Sequence, residues 1–156
     1  MIEKDGQTGG VNYTGADGVC TVIYASRVLP APDAGQFNAS TYPSARPVSG
    51  QGGRGAAWFV QTSAGAAVLK HYRRGGRAAK FSDTSYFYTG IGRVRSFAEF
   101  RLLLALRRLD LPVPEPLAAF CLRSGLTYRA ALLTRCIPEA RSLASCIREG
   151  NAPWAE

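Results

Sequence analysis

Apolar residues are spread unevenly along the chain. Residues 1–49 are rich in Gly, Pro, Ser, Thr and Asn, and only "VCTVIYAS" is apolar for long enough to suggest a strand. The rest of that segment reads as a weakly ordered lead-in. From Trp58 the texture changes: "WFVQ" and "AAVLKHY" are strand-like runs, and the "TSAG" between them suits a hairpin turn. Residues 76–95 are basic and aromatic with little periodicity, which predicts a long connection. A helix follows. Ser96 with Glu99 three residues on has the form of a capping box, and Phe97, Phe100, Leu102, Leu103, Leu104, Leu106 and Leu109 carry apolar content as far as Leu109. The prolines of "LPVPEP" stop it. "LAAFCLRSGLTYRAALLT" then predicts a second hairpin around Ser124-Gly125, and "ARSLASCIREG" a short helix ending at Gly150. The expected class is α+β, an antiparallel twisted sheet with one main helix.

Composition narrows the chemistry. At 156 residues, 46% hydrophobic, the chain is sized for one domain or one large lobe. Nineteen Lys and Arg against eleven acids give +8, so an anionic partner is expected: nucleic acid, a phospholipid surface or a phosphate. Cys20, Cys121, Cys136 and Cys146 are widely spaced and accompany a single histidine, which argues against a zinc site or a disulfide scaffold and for free thiols. Neither a secretory leader nor an apolar run of membrane-spanning length is legible.

"GQGGRG" contains G-x-G-x-x-G as Gly50, Gly52 and Gly55, but Pro47 precedes it and a strand follows, so the context is not that of a dinucleotide fold. Such a loop between two antiparallel strands is also how protein kinases close backbone over the phosphates of ATP. The alternative is a flexible hairpin loop. One strand further on, alternation puts Ala66, Val68, Lys70 and Tyr72 on one face and Ala67, Leu69 and His71 on the other. A lysine there suits the α- and β-phosphates, with Val68 under the adenine. Glu99 is the candidate partner for Lys70, because it aligns with Leu102, Leu103 and Leu106 along an apolar stripe where a carboxylate needs a counter-charge. Equally, Glu99 could simply complete the cap with Ser96. His71 points away from Lys70, and a structural or surface role suits it.

Together, "GQGGRGAAWFV", "VLKHYRRGG", "RSFAEFRLLLALRRLDLPVPEPLAA" and "YRAALLTRCIPEARSL" resemble the N-terminal lobe of the 3-deoxy-D-manno-octulosonic acid (Kdo) kinases, bacterial lipopolysaccharide inner-core kinases with a protein-kinase-like fold. The resemblance covers roughly residues 22–156 and is strongest from Gly53 to Leu143. It implies transfer of the γ-phosphoryl of ATP, with Mg²⁺, to the 4-hydroxyl of Kdo on a lipid A precursor. The enzyme would sit peripherally on the cytoplasmic side of the inner membrane. By the same resemblance, Gly53 and Gly55 fall in the phosphate loop, Lys70 at the phosphate-binding lysine and Glu99 at its helix partner. Leu133, Thr134, Arg135 and Cys136 fall near a hinge that holds the adenine edge through backbone groups. Ala57 stands where protein kinases usually carry valine. Arg73, Arg74, Arg77 and Lys80, with Arg93 and Arg95, become an approach surface for an anionic membrane and a phosphorylated lipid, or a solvated loop that keeps the protein soluble.

The resemblance also asks for a catalytic-loop Asp, an Asn and a metal-binding Asp beyond the hinge. No aspartate follows Thr134; the five are Asp5, Asp17, Asp33, Asp83 and Asp110. The catalytic Asp is therefore expected beyond Glu156, and no residue of this chain is assigned its role. Asp33 and Asn38 have the D-x-x-x-x-N spacing but precede the glycine cluster, a chance match. The expected organisation is a lead-in (1–49), a kinase-like N-lobe (50–134) and a hinge with the start of a truncated C-lobe (135–156). The catalytic lobe would be missing, and the chain alone inactive and of low stability. Rival readings are a heptose or other small-molecule kinase of the same fold, or a basic nucleic-acid-binding module in which Tyr72 or Tyr86 stacks on bases beside Arg73, Arg74 and Arg77. The kinase reading expects no nucleic-acid partner.

Overall fold

The computed structural model describes residues 8–48, 56–72, 85–140 and 143–150. Its strands are β1 (Thr8–Gly15), β2 (Gly18–Ala25), β3 (Arg46–Pro47), β4 (Ala56–Thr62), β5 (Gly65–His71), β6 (Tyr86–Phe87), β7 (Pro116–Ser124) and β8 (Thr127–Arg135). The helices are α1 (Arg95–Arg108) and α2 (Leu143–Arg148). The strands form one sheet in the order β1-β2-β7-β8-β5-β4-β3, with β6 also on β8, and every pairing is antiparallel. This is the predicted architecture, an antiparallel sheet with one main helix.

Both predicted hairpins form. Thr62 sets the first turn: its Oγ1 donates to the Gly65 carbonyl and accepts from the Ala64 N–H. The central strands are buried on both sides, which is why "AALL" in β8 is continuously apolar. Ala130 and Leu132 face α1, where they meet Phe97 and Phe100; Ala131 and Leu133 face the other way, toward Leu29 and Phe37.

The lead-in differs most from expectation. Residues 8–25 form a long hairpin that extends the sheet beyond β7, and residues 29–45 lay Leu29, Phe37, Tyr42 and Ala45 over the face opposite α1. The ordered sheet thus begins well before residue 50. β1 was illegible because "TGGVNYTG" is an edge strand whose residues are mostly exposed, so no apolar alternation was needed. Residues 34–41 make two short 3-10 turns, each with a side-chain cap: Asp33 accepts from the Gln36 N–H and Asn38 from the Ser40 N–H.

The capping box does not form. Val94 is the N-cap residue, and Ser96 lies buried inside the first turn with its hydroxyl donating to the Phe120 carbonyl on β7 at 2.8 Å. The apolar stripe also lies elsewhere than expected. Phe97 and Phe100 are the buried pair, whereas Leu102 points to solvent.

Candidate functional site

β5 carries Lys70 toward α1, and its register pairs Lys70 with Ala57 on β4 and Leu132 on β8. All three sit on the helix-facing side of the sheet. Lys70 Nζ lies 3.0 Å from Glu99 Oε1 and 3.1 Å from Oε2, a two-oxygen contact that joins sheet to helix. The ion pair is open to water, with side-chain exposures of 44% for Lys70 and 35% for Glu99, so its value lies in placing the ammonium more than in stability. The choice the sequence left open between cap and ion pair thus falls to the ion pair.

Tyr72 completes the arrangement and was not foreseen. Its hydroxyl donates to Glu99 Oε2 at 2.5 Å, and the Lys70 ammonium stands 4.9 Å from its ring centroid. Burial raises the phenol's pKa, and the hydrogen bond to Glu99 and that carboxylate's charge push it further the same way. The phenol therefore stays a neutral donor. A signal existed, since alternation had placed Tyr72 on the Lys70 face. The rival reading had instead spent it on stacking. Tyr86, the other stacking candidate, is buried against Tyr128 with ring centroids 5.5 Å apart.

His71 turns to the opposite face, as alternation predicts. Its Nε2 lies 2.7 Å from the Phe37 carbonyl and its ring 4.9 Å from that of Trp58, fastening the 29–45 cover to β5.

Val68 and Ala57 lie on the Lys70 face and are partly exposed, next to Phe59, which continues that surface along β4. The register puts Val68 opposite both Phe59 and Thr134. Thr134 and Phe59 thus flank Val68 on its two sides, and Lys70 follows two residues further along β5. Leu133 is fully buried on the opposite face. At the chain's exit from β8, the Arg135 N–H donates to the Glu115 carbonyl and the Cys136 N–H to the Ala66 carbonyl, so these two donors are already in use. The Arg135 side chain is engaged too, its guanidinium contacting Glu115 at 2.5 Å and the Ala64 carbonyl at 2.6 Å.

β3 and β4 pair across Arg46↔Phe59 and Pro47↔Trp58, with the Val48 N–H on the Ala57 carbonyl. The glycine-rich stretch thus joins two antiparallel strands beside the lysine strand, the placement the phosphate-loop reading requires. Gly53 and Gly55 themselves, like Arg73, Arg74, Arg77 and Lys80, lie outside the described residues. So does Glu156, beyond which the resemblance places the catalytic Asp. Among the described residues no three of His, Cys, Asp and Glu come together as a metal cluster. The two carboxylates nearest the site, Glu99 and Glu115, are each committed to a cation. The described residues therefore do not form a site for the Mg²⁺ that the resemblance implies.

Residues 41–156 match the lipopolysaccharide kinase (Kdo/WaaP) family. The chain belongs to that family. Relatives named 3-deoxy-D-manno-octulosonic acid kinase agree with it closely. One from Stenotrophomonas maltophilia (strain R551-3) is 49% identical over 142 residues, covering 89% of this chain and 57% of the relative. One from Xanthomonas campestris pv. campestris (strain B100) is 44% identical over 159 residues, covering 100% of this chain and 64% of the relative. This Kdo/WaaP family chain thus spans about three fifths of the length of those relatives. No solved structure matches it.

Proposed function

We propose that this chain is the nucleotide-binding part of an ATP-dependent kinase that phosphorylates the 4-hydroxyl of Kdo on a lipid A precursor at the cytoplasmic face of the inner membrane. The relatives' name supports the acceptor, and the Lys70–Glu99 pair beside the strands that flank the glycine stretch supports the nucleotide. The ion pair is the observation that carries the reading. Glu99 holds the ammonium on the helix-facing side of the sheet, and Tyr72 donates to the carboxylate that does so.

In this reading the adenine lies on Val68, Ala57 and Phe59, and the α- and β-phosphates reach Lys70. Its charge then offsets their negative charge in the ground state and as charge shifts during transfer. The hinge residues act through carbonyl groups, because the N–H groups of Arg135 and Cys136 are held in the sheet. The group that orients the acceptor hydroxyl is not among the described residues.

Titrating the 156-residue chain with ATP tests the nucleotide half of this reading. Lys70→Ala should weaken ATP binding by about tenfold or more, and Glu99→Gln by a smaller factor, with the far-ultraviolet spectrum unchanged. ATP affinity identical in the wild type and both variants would contradict it.

A further inference from the structure

The end of the sheet nearest the phosphate site carries a protruding apolar tip. Leu126 stands in the β7–β8 turn and is 77% exposed; Phe87 on β6 is 66% exposed. They are neighbours, because Phe87 pairs with Thr127 and the Tyr88 N–H donates to the Leu126 carbonyl at 2.9 Å. Ile91, in the turn that follows β6, is exposed as well, and so is Val19, opposite Arg123 at the start of β2.

Basic groups ring this tip. The Arg123 guanidinium lies 4.4 Å from the Tyr88 ring centroid and donates to the Gly125 carbonyl at 3.0 Å. Arg95 lies 4.9 Å from the Tyr86 ring centroid, and Arg93 is exposed one turn before α1. Two described acids lie toward this end, Asp17 in the β1–β2 turn and Glu99 on α1, and Glu99 is paired with Lys70. Apolar side chains at a convex tip, tyrosines behind them and arginines around them match the layering of a lipid interface: acyl boundary, headgroup, phosphate.

We propose that this tip, led by Leu126 and Phe87, is where the protein docks on an anionic lipid bilayer. The position fits the chemistry of the proposed kinase. β5 runs toward this end, the strands flanking the glycine stretch meet at this end, and α1 begins here, while the hinge lies at the other end of β8. A lipid-borne acceptor held at the tip would face the phosphate end of the nucleotide. The surface deepens the kinase reading by naming its membrane contact, yet lipid binding can be measured without any activity.

The test is co-sedimentation of the 156-residue chain with vesicles of phosphatidylcholine alone or with phosphatidylglycerol added. Binding should require phosphatidylglycerol, weaken with added salt, and fall by about tenfold in a Phe87→Ser/Leu126→Ser double variant whose ATP binding is unchanged. A Leu126→Trp variant should bind at least as well as the wild type and shift its added emission to the blue on the vesicles. Equal binding by the wild type and the double variant, no blue shift at position 126, no vesicle binding, or binding to single-stranded RNA instead of lipid would each overturn the assignment. Loss of ATP binding with lipid binding intact would instead count against the kinase reading.

Discussion

Lys70, Glu99 and Tyr72 form a three-membered unit in which each side chain limits the freedom of the other two. The lysine meets both carboxylate oxygens, the phenol donates to one of them, and the phenol's ring lies beside the ammonium. Its pH dependence follows from Tyr72. The folded-state pKa of that phenol is raised above its ordinary 10.0, so the neutral form is favoured on folding. The stability it contributes is complete below about pH 10 and is lost as pH climbs beyond. Cys121, whose thiol is pushed up from 9.0 to about 12 chiefly by burial, adds a loss of the same sign beginning near pH 9. Denaturant unfolding at pH 8 should show Tyr72→Phe less stable than wild type by about 1 kcal/mol. At pH values above about 10 that gap should narrow, since the variant has no phenol to ionise. A gap that stays constant or widens as pH rises would show that the hydroxyl is not a buried donor.

At the scale of elements, the sequence revealed strands and helices wherever a core on one face or on both required a run of apolar residues. β4, β5, β7, β8 and α1 were legible for that reason. β1 was not, because an edge strand needs no apolar face. The cap at α1 was misread because a buried serine and a capping serine look the same in sequence. What separates them is whether a carbonyl faces the hydroxyl, and the carbonyl belongs to Phe120, 24 residues away. Ser96→Ala should therefore cost about 1 kcal/mol through the lost sheet-to-helix bond, while Glu99→Gln should leave the helix content of the circular dichroism spectrum as it was. A loss of helix signal in Glu99→Gln would restore the capping box.

The β1–β2 hairpin rests on one glycine. Gly18 has φ +130°, and a Cβ there would lie 2.0 Å from the Arg123 carbonyl oxygen. Gly18→Ala should lower stability by more than about 1 kcal/mol in a urea titration. A neutral result would mean that the hairpin packs loosely on β7.

For the whole molecule, the basic charge, the apolar tip and the ion pair divide along the sheet. One end carries Arg135 and Glu115, and the opposite end carries Lys70's reach, the glycine stretch's flanking strands and the Phe87–Leu126 tip. Strand alternation and the apolar spacing on the helix made the Lys70–Glu99 pair legible. They did not reveal the tip, because Phe87 and Leu126 are isolated in sequence and become neighbours only when β6 pairs with β8. Nor did they foresee the 29–45 cover, whose apolar residues are too sparse to show a period.

The central claim is that Lys70 is aimed at the phosphates of ATP. An acyl-phosphate derivative of ATP, which acylates a lysine amine held beside the phosphates, reads this directly. The chain has three lysines: Lys4, Lys70 and Lys80. Mass spectrometry after brief labelling should find the acyl group concentrated on Lys70, removed by excess ATP and reduced in Glu99→Gln. Acylation spread evenly over the three lysines, or unaffected by ATP, would contradict the account.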